Sequence, residues 1–190
     1  MAGGTVPKPG EATLSDLLAH PGMRKTMALW GPIVLVLALA AALTVDAAWQ
    51  IPAGLLYGAL AYSLMEYLTH RFLYHWEPRQ RLWRRINAKL GPPHLGHHEK
   101  PTEYKGAIML HQMPMVIVML VCLGLLFLLP LPPAFVFATV AIGSLGFALH
   151  EAVHFGCHQM PMRHPALAYL KRRHLFHHYR DENVNFGTTS

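Results

Sequence analysis

Apolar residues gather along this chain into four long blocks, at about Met27–Leu43, Ile51–Leu68, Ala107–Leu129 and Pro133–Val153. Each approaches the roughly 20 residues that a helix needs to cross a bilayer's hydrocarbon core. Glu66 and Glu151 are the only acidic residues inside them, and Lys and Arg are absent. Short breaks at Val45–Ala48 and Leu129–Pro133 pair the blocks into two helical hairpins. The predicted fold is an all-α integral membrane protein: four transmembrane helices as two hairpins, with a cytoplasmic helical cap built from the intervening polar segments. A single domain over residues 14–190 is expected, preceded by a Gly/Pro-rich stretch, residues 1–13, that reads as disordered and carries no apolar signal-peptide core.

Composition supports a membrane setting. Charged residues make up 14% of the chain, against about 25% in an ordinary soluble domain, and the mean hydropathy is +0.25. The net charge of +6 alone would suit nucleic acid, but its distribution assigns it elsewhere. Threading the four blocks puts all 16 Lys and Arg on one side: Lys8, Arg24 and Lys25, the loop Arg71–Lys105 and the tail Arg163–Arg180. That side is cytoplasmic by the positive-inside rule, with both termini on it, and no nucleic acid partner is expected. Arg79–Leu90 spaces Leu82, Ile86 and Leu90 by four among basic residues, the pattern of an interfacial amphipathic helix; Leu14–His20 is a weaker version. Cys122 and Cys157 are far apart and form no CxxC pair.

Histidine changes the picture. There are 14, against 10 acidic residues, and ten of them fall into four motifs. His70 and His75 form HX4H; His94, His97 and His98 form HX2HH; His150 and His154 form HX3H; His174, His177 and His178 form a second HX2HH. Residues three or four apart share a helix face. His70 and His75, five apart, do not, so a helix end or local unwinding is expected between them. Neutral imidazole suits zinc, copper, iron and nickel. Ten imidazoles exceed what one metal takes, and the scarcity of cysteine argues against a structural zinc site. Two metals are implied.

These four motifs, in this order, resemble the fatty acid hydroxylase/sterol desaturase superfamily over roughly Tyr62 to Gly187. The closing run Tyr169–Tyr179, followed by Asn185-Phe186-Gly187, is most similar to its fatty acid 2-hydroxylase branch. The resemblance implies a non-haem centre of two iron ions, which zinc can replace, with O2 as co-substrate and a membrane lipid as substrate. Electrons would come from a separate protein of cytochrome b5 or ferredoxin type. It carries the ligand role to His70, His75, His94, His97, His98, His150, His154, His174, His177 and His178. The implied activity is hydroxylation of an acyl chain or head group. The alternatives are lipid or sterol desaturation or carotenoid hydroxylation, and, in another class, a histidine-rich metal-binding or transport protein.

Around the motifs, Glu66 and Glu151 lie within a turn of candidate ligands and are candidates to orient an imidazole from behind, as is Asn185. Asn183 and Asn185 read first as turn residues. His158, four beyond His154, is the leading additional ligand. His20, His111 and His164 read as interfacial or core histidines, and Cys122 and Met113–Met119 as span packing. The compact form points to a bacterial inner membrane rather than the endoplasmic reticulum.

Overall fold

The computed structural model describes residues 6–75, 79–82, 94–104, 108 and 112–189. Among these, the regular elements are all helical: α1 (Leu14–Ala19), α2 (Pro21–Thr44), α3 (Gln50–Thr69), a π-helix (His70–Tyr74), α4 (His94–Glu99), α5 (Gln112–Phe127), α6 (Pro133–Gln159) and α7 (Pro165–Tyr179). Helix starts follow local chemistry. Thr13 and Asp16 form a reciprocal capping box at α1. Prolines open α2, α6 and α7, where a missing N–H costs nothing. Most of the amphipathic helix expected at Arg79–Leu90, and His111, lie outside the described residues.

The chain packs as two compact units. One comprises residues 24–65 and 110–149, hence most of α2 and α3, all of α5 and the first part of α6. Trp30, Leu37, Met119, Val140, Ala141 and Phe147 are its buried core, with Met115 packed against them. Elsewhere its helices turn apolar side chains outward: Leu43 is 86% exposed and Leu128 80%, with Leu35, Val36, Leu56, Leu60, Val121 and Leu125 also exposed. Apolar surface spread over several helices marks contact with something other than water. α2 and α6 are each long and apolar enough to cross a membrane, and α5 contains a shorter apolar helix. The chain is therefore membrane-associated. α3 and α6 approach closely: a Cβ on Gly58 would lie 2.4 Å from the Thr139 carbonyl oxygen, and one on Gly146 2.7 Å from the Tyr62 ring. Small residues at such a crossing let helix backbones meet. An apolar cavity of about 290 Å³ lies beside this contact, lined among others by Tyr57, Tyr62, Val118, Cys122, Leu126 and Phe147.

The other unit comprises residues 1–23, 66–109 and 150–190. Its apolar core is small: Ala12, Leu17, Met23 and Phe155, with Tyr104 and Ile108 against them. Ala12, from the segment read as disordered, is buried, and its N–H donates to the Gln159 carbonyl at 2.8 Å. The end of that segment is therefore packed, because its backbone pairs with the end of α6. His20 is a core histidine: its Nδ1 accepts from Gly22 N–H at 3.1 Å and its Nε2 lies 3.0 Å from the Tyr104 carbonyl. His164 stands at the N-cap of α7 and is exposed. Histidines fill much of the remaining interior.

Candidate metal centre

The π-helix is the first device that builds the site. Wider than an α-helix, with bonds from i to i+5, it lets residues five apart face the same way. His70 and His75 stack with ring centroids 5.2 Å apart and planes 19° from parallel. The helix end or local unwinding expected between them takes the form of a widened π-helical turn that ends at Tyr74, immediately before His75.

Ten histidines form two groups of five, the donor nitrogens within each lying within 4.8 Å of one another. The first group is His70, His75, His94, His98 and His177; the second is His97, His154, His158, His174 and His178. Each HX2HH motif is divided between them. In α4, His94 and His98, one turn apart, go to the first group and His97 to the second. In α7, His174 and His178 go to the second and His177 to the first. The i and i+4 residues share a direction while i+3 points about 100° from i+4, so each short helix serves both groups. His98 and His178 stack at 4.1 Å where the groups meet.

Within the first group, the Nε2 of His94 lies 2.9 Å from that of His70, 2.9 Å from that of His98 and 3.3 Å from that of His75. In the second, the Nε2 of His158 lies 2.8 Å from that of His174 and 3.1 Å from that of His97. One N–H cannot serve three acceptors, so hydrogen bonding does not account for this convergence. A shared cation does. With metal–nitrogen bonds of about 2.1 Å, adjacent ligand atoms sit roughly 3.0 Å apart at right angles and roughly 3.4 Å apart in a tetrahedron. The observed contacts match that scale. The buried Nδ1 atoms of His94, His158 and His174, and both ring nitrogens of His178, have no hydrogen-bond partner among the described residues. This donor set fits metal ions.

Protonation agrees. Burial holds His97 down to about 4 and His98 to about 3, the latter helped by neighbouring imidazoles. Burial and the surrounding histidines push His70, His94, His174 and His178 well below the ordinary value. His75 and His177 are lowered by burial. Neutral imidazole is the form that binds a metal.

Backbone carbonyls fix two tautomers. His70 Nδ1 donates to the Phe186 carbonyl at 2.6 Å and His177 Nδ1 to that of Val184 at 2.8 Å. A carbonyl only accepts, so both Nδ1 atoms carry the proton and both Nε2 lone pairs face the first group.

Nine of the ten histidines expected as ligands lie in these groups. His150 does not: its Nδ1 sits 2.7 Å from Glu66 Oε1, and its ring stacks 5.9 Å from that of His154. His158 occupies the tenth place. The sequence holds two overlapping HX3H pairs, and only packing selects the second. Glu66 thus holds His150, and it also accepts from the Thr189 N–H (3.1 Å) and hydroxyl (2.8 Å). Glu151 is fully buried. Asn185 has φ +58° and accepts from Arg173 Nε at 3.2 Å, so it is a turn residue, and Asn183 closes a turn on Asp181. The carbonyls of Val184 and Phe186 carry no signal in a reading of side chains.

Residues 55–190 match the family described as fatty acid hydroxylase. The chain belongs to that family. It is 29% identical over 134 residues to a dihydroceramide fatty acyl 2-hydroxylase of Arabidopsis thaliana, covering 70% of this chain and 54% of that protein. To the ceramide very long chain fatty acid hydroxylase SCS7 of Saccharomyces cerevisiae it is 31% identical over 139 residues, covering 70% and 34%. To human fatty acid 2-hydroxylase it is 31% identical over 143 residues, covering 73% and 37%. The chain thus spans about half the length of these relatives or less. Among solved structures, full-length scs7p, with only its hydroxylase domain visible, superposes with a TM-score of 0.74 at 26% identity, covering 95% of this chain and 69% of that one.

Proposed function

We propose that this chain is a membrane-embedded hydroxylase that inserts one oxygen atom of O2 into a C–H bond of a membrane lipid's acyl chain. The observation that carries the reading is the pair of five-imidazole groups in a member of the fatty acid hydroxylase family. The names of the relatives point to a fatty acyl or ceramide substrate. His70, His75, His94, His98 and His177 would hold one iron ion, and His97, His154, His158, His174 and His178 the other. Bound iron supplies the redox chemistry that oxygen activation needs. The protein's own part is to keep ten imidazoles neutral, to orient two by backbone carbonyls, and to bring both metals to one small volume. The balance requires two electrons and two protons per turnover, with water as the second product. A separate donor protein of cytochrome b5 or ferredoxin type would deliver the electrons.

The reading includes four membrane-crossing helices, α2, α3, α5 and α6, with the histidines and both termini on the cytoplasmic face, in a bacterial inner membrane. The apolar cavity beside α3 and α6 suits a hydrocarbon chain. Lipid mass spectrometry of cells expressing the chain, compared with the His177→Ala variant, tests the reaction. A lipid gaining one oxygen only with the intact chain is expected. Loss of two hydrogens would make it a desaturase. Purified protein that takes up no iron or zinc would overturn the reading.

A further inference from the structure

The segment Asp181–Thr189 has no regular secondary structure, yet at Val184 and Phe186 it is held against the first histidine group. The Val184 and Phe186 carbonyls receive His177 and His70. The Phe186 ring packs edge-on to His70, His75 and His177 at 5.4–5.6 Å. Asn185 turns the chain between the two carbonyls and is tied to Arg173. The Arg71 guanidinium lies over the Phe186 ring, 5.7 Å from its centroid. Past these contacts, Thr189 closes on Glu66 through its N–H and its hydroxyl. Gly187 and Thr188, in between, are buried.

We infer that this segment is a strap that sets the geometry of the first histidine group alone, with the Thr189–Glu66 contact as its latch. The inference rests on the two-metal reading above. No carbonyl of the strap bonds a histidine of the second group among the described residues, so loosening the strap acts on one metal position and spares the other. Hydrogen bonds from behind a ligand fix its ring orientation and raise its basicity, and losing such a partner weakens metal binding by about 10- to 100-fold. Glu66 and Thr189 are positioning residues. The hydroxyl–carboxylate bond is charge-assisted, the strong kind, which is why a single methyl-for-hydroxyl exchange suffices to test it.

The experiment is a zinc titration of the detergent-purified full chain against a competing chromophoric chelator, with folding followed by circular dichroism. Thr189→Val should keep one site at the wild-type affinity and weaken the other about 10-fold. Thr189→Ser should restore it. A chain ending at Asn183, which lacks both carbonyls, should weaken that site by about 100-fold. Two sites of unchanged affinity in folded Thr189→Val, or two sites weakened equally, would refute the strap. Fewer than two zinc ions on the wild type would instead refute the two-metal reading beneath it.

Discussion

His158→Ala and His150→Ala should have opposite effects, although both remove one member of an HX3H pair from α6. His158 Nε2 converges with His174 at 2.8 Å and His97 at 3.1 Å. Zinc bound by histidine and cysteine sites gains about 10–16 kcal/mol. Shared over five donors, one imidazole is worth roughly 2–3 kcal/mol, or roughly 30- to 150-fold in affinity. His158→Ala should therefore retain one site and weaken the second by that factor. His150 belongs to neither histidine group, but its removal strips a hydrogen-bond partner from buried Glu66. Breaking such a pair costs about 3–5 kcal/mol, at the low end here because Thr189 still donates twice. His150→Ala should keep both zinc sites and melt at a lower temperature. Zinc titration with thermal unfolding reads both variants. A lost site in His150→Ala, with two intact sites in His158→Ala, would restore the other HX3H pair and refute the partition.

Three further outcomes follow from the geometry. Deleting Phe72 turns HX4H into HX3H and removes the reason for the π-helix, but everything beyond rotates by about 100°; one zinc site should be lost, as metal counting on the purified protein would show. Gly58→Ala would force a Cβ against the Thr139 carbonyl and should destabilise the chain by about 1–3 kcal/mol, while Gly31→Ala, where a Cβ meets nothing within 4 Å, should not; melting curves in detergent compare them. For the metal-free protein, His97 and His98 are held below their unfolded value near 6.5, to about 4 and about 3. The unfolded chain then binds more protons in acid, so stability present above about pH 6.5 is lost as pH falls toward 4 and 3. A melting temperature unchanged between pH 7.5 and pH 5 would count against those buried neutral imidazoles.

Much of the site was legible because its chemistry is local. Spacings of three and four residues in α4 and α7 placed six histidines correctly as neighbours, and the five-residue gap at His70 announced an irregular turn before its kind was known. What could not be read was direction. HX2HH says that three histidines are near one another; it does not say that the i+3 residue turns to a different histidine group. The overlap at His150, His154 and His158 offered two equally regular pairs on one helix face, and Glu66, 84 positions from His150, decides between them.

By itself, then, the sequence determined the helical class, the apolar helices, the family and nearly all of the imidazoles, since periodicity, hydropathy and short motifs depend on neighbours along the chain. Tertiary structure alone decided how ten histidines divide into two groups, why His150 yields its place to His158, and which backbone carbonyls orient His70 and His177. Those are contacts across 7 to 116 positions, and a carbonyl is present at every residue, so no side-chain pattern distinguishes the two that matter.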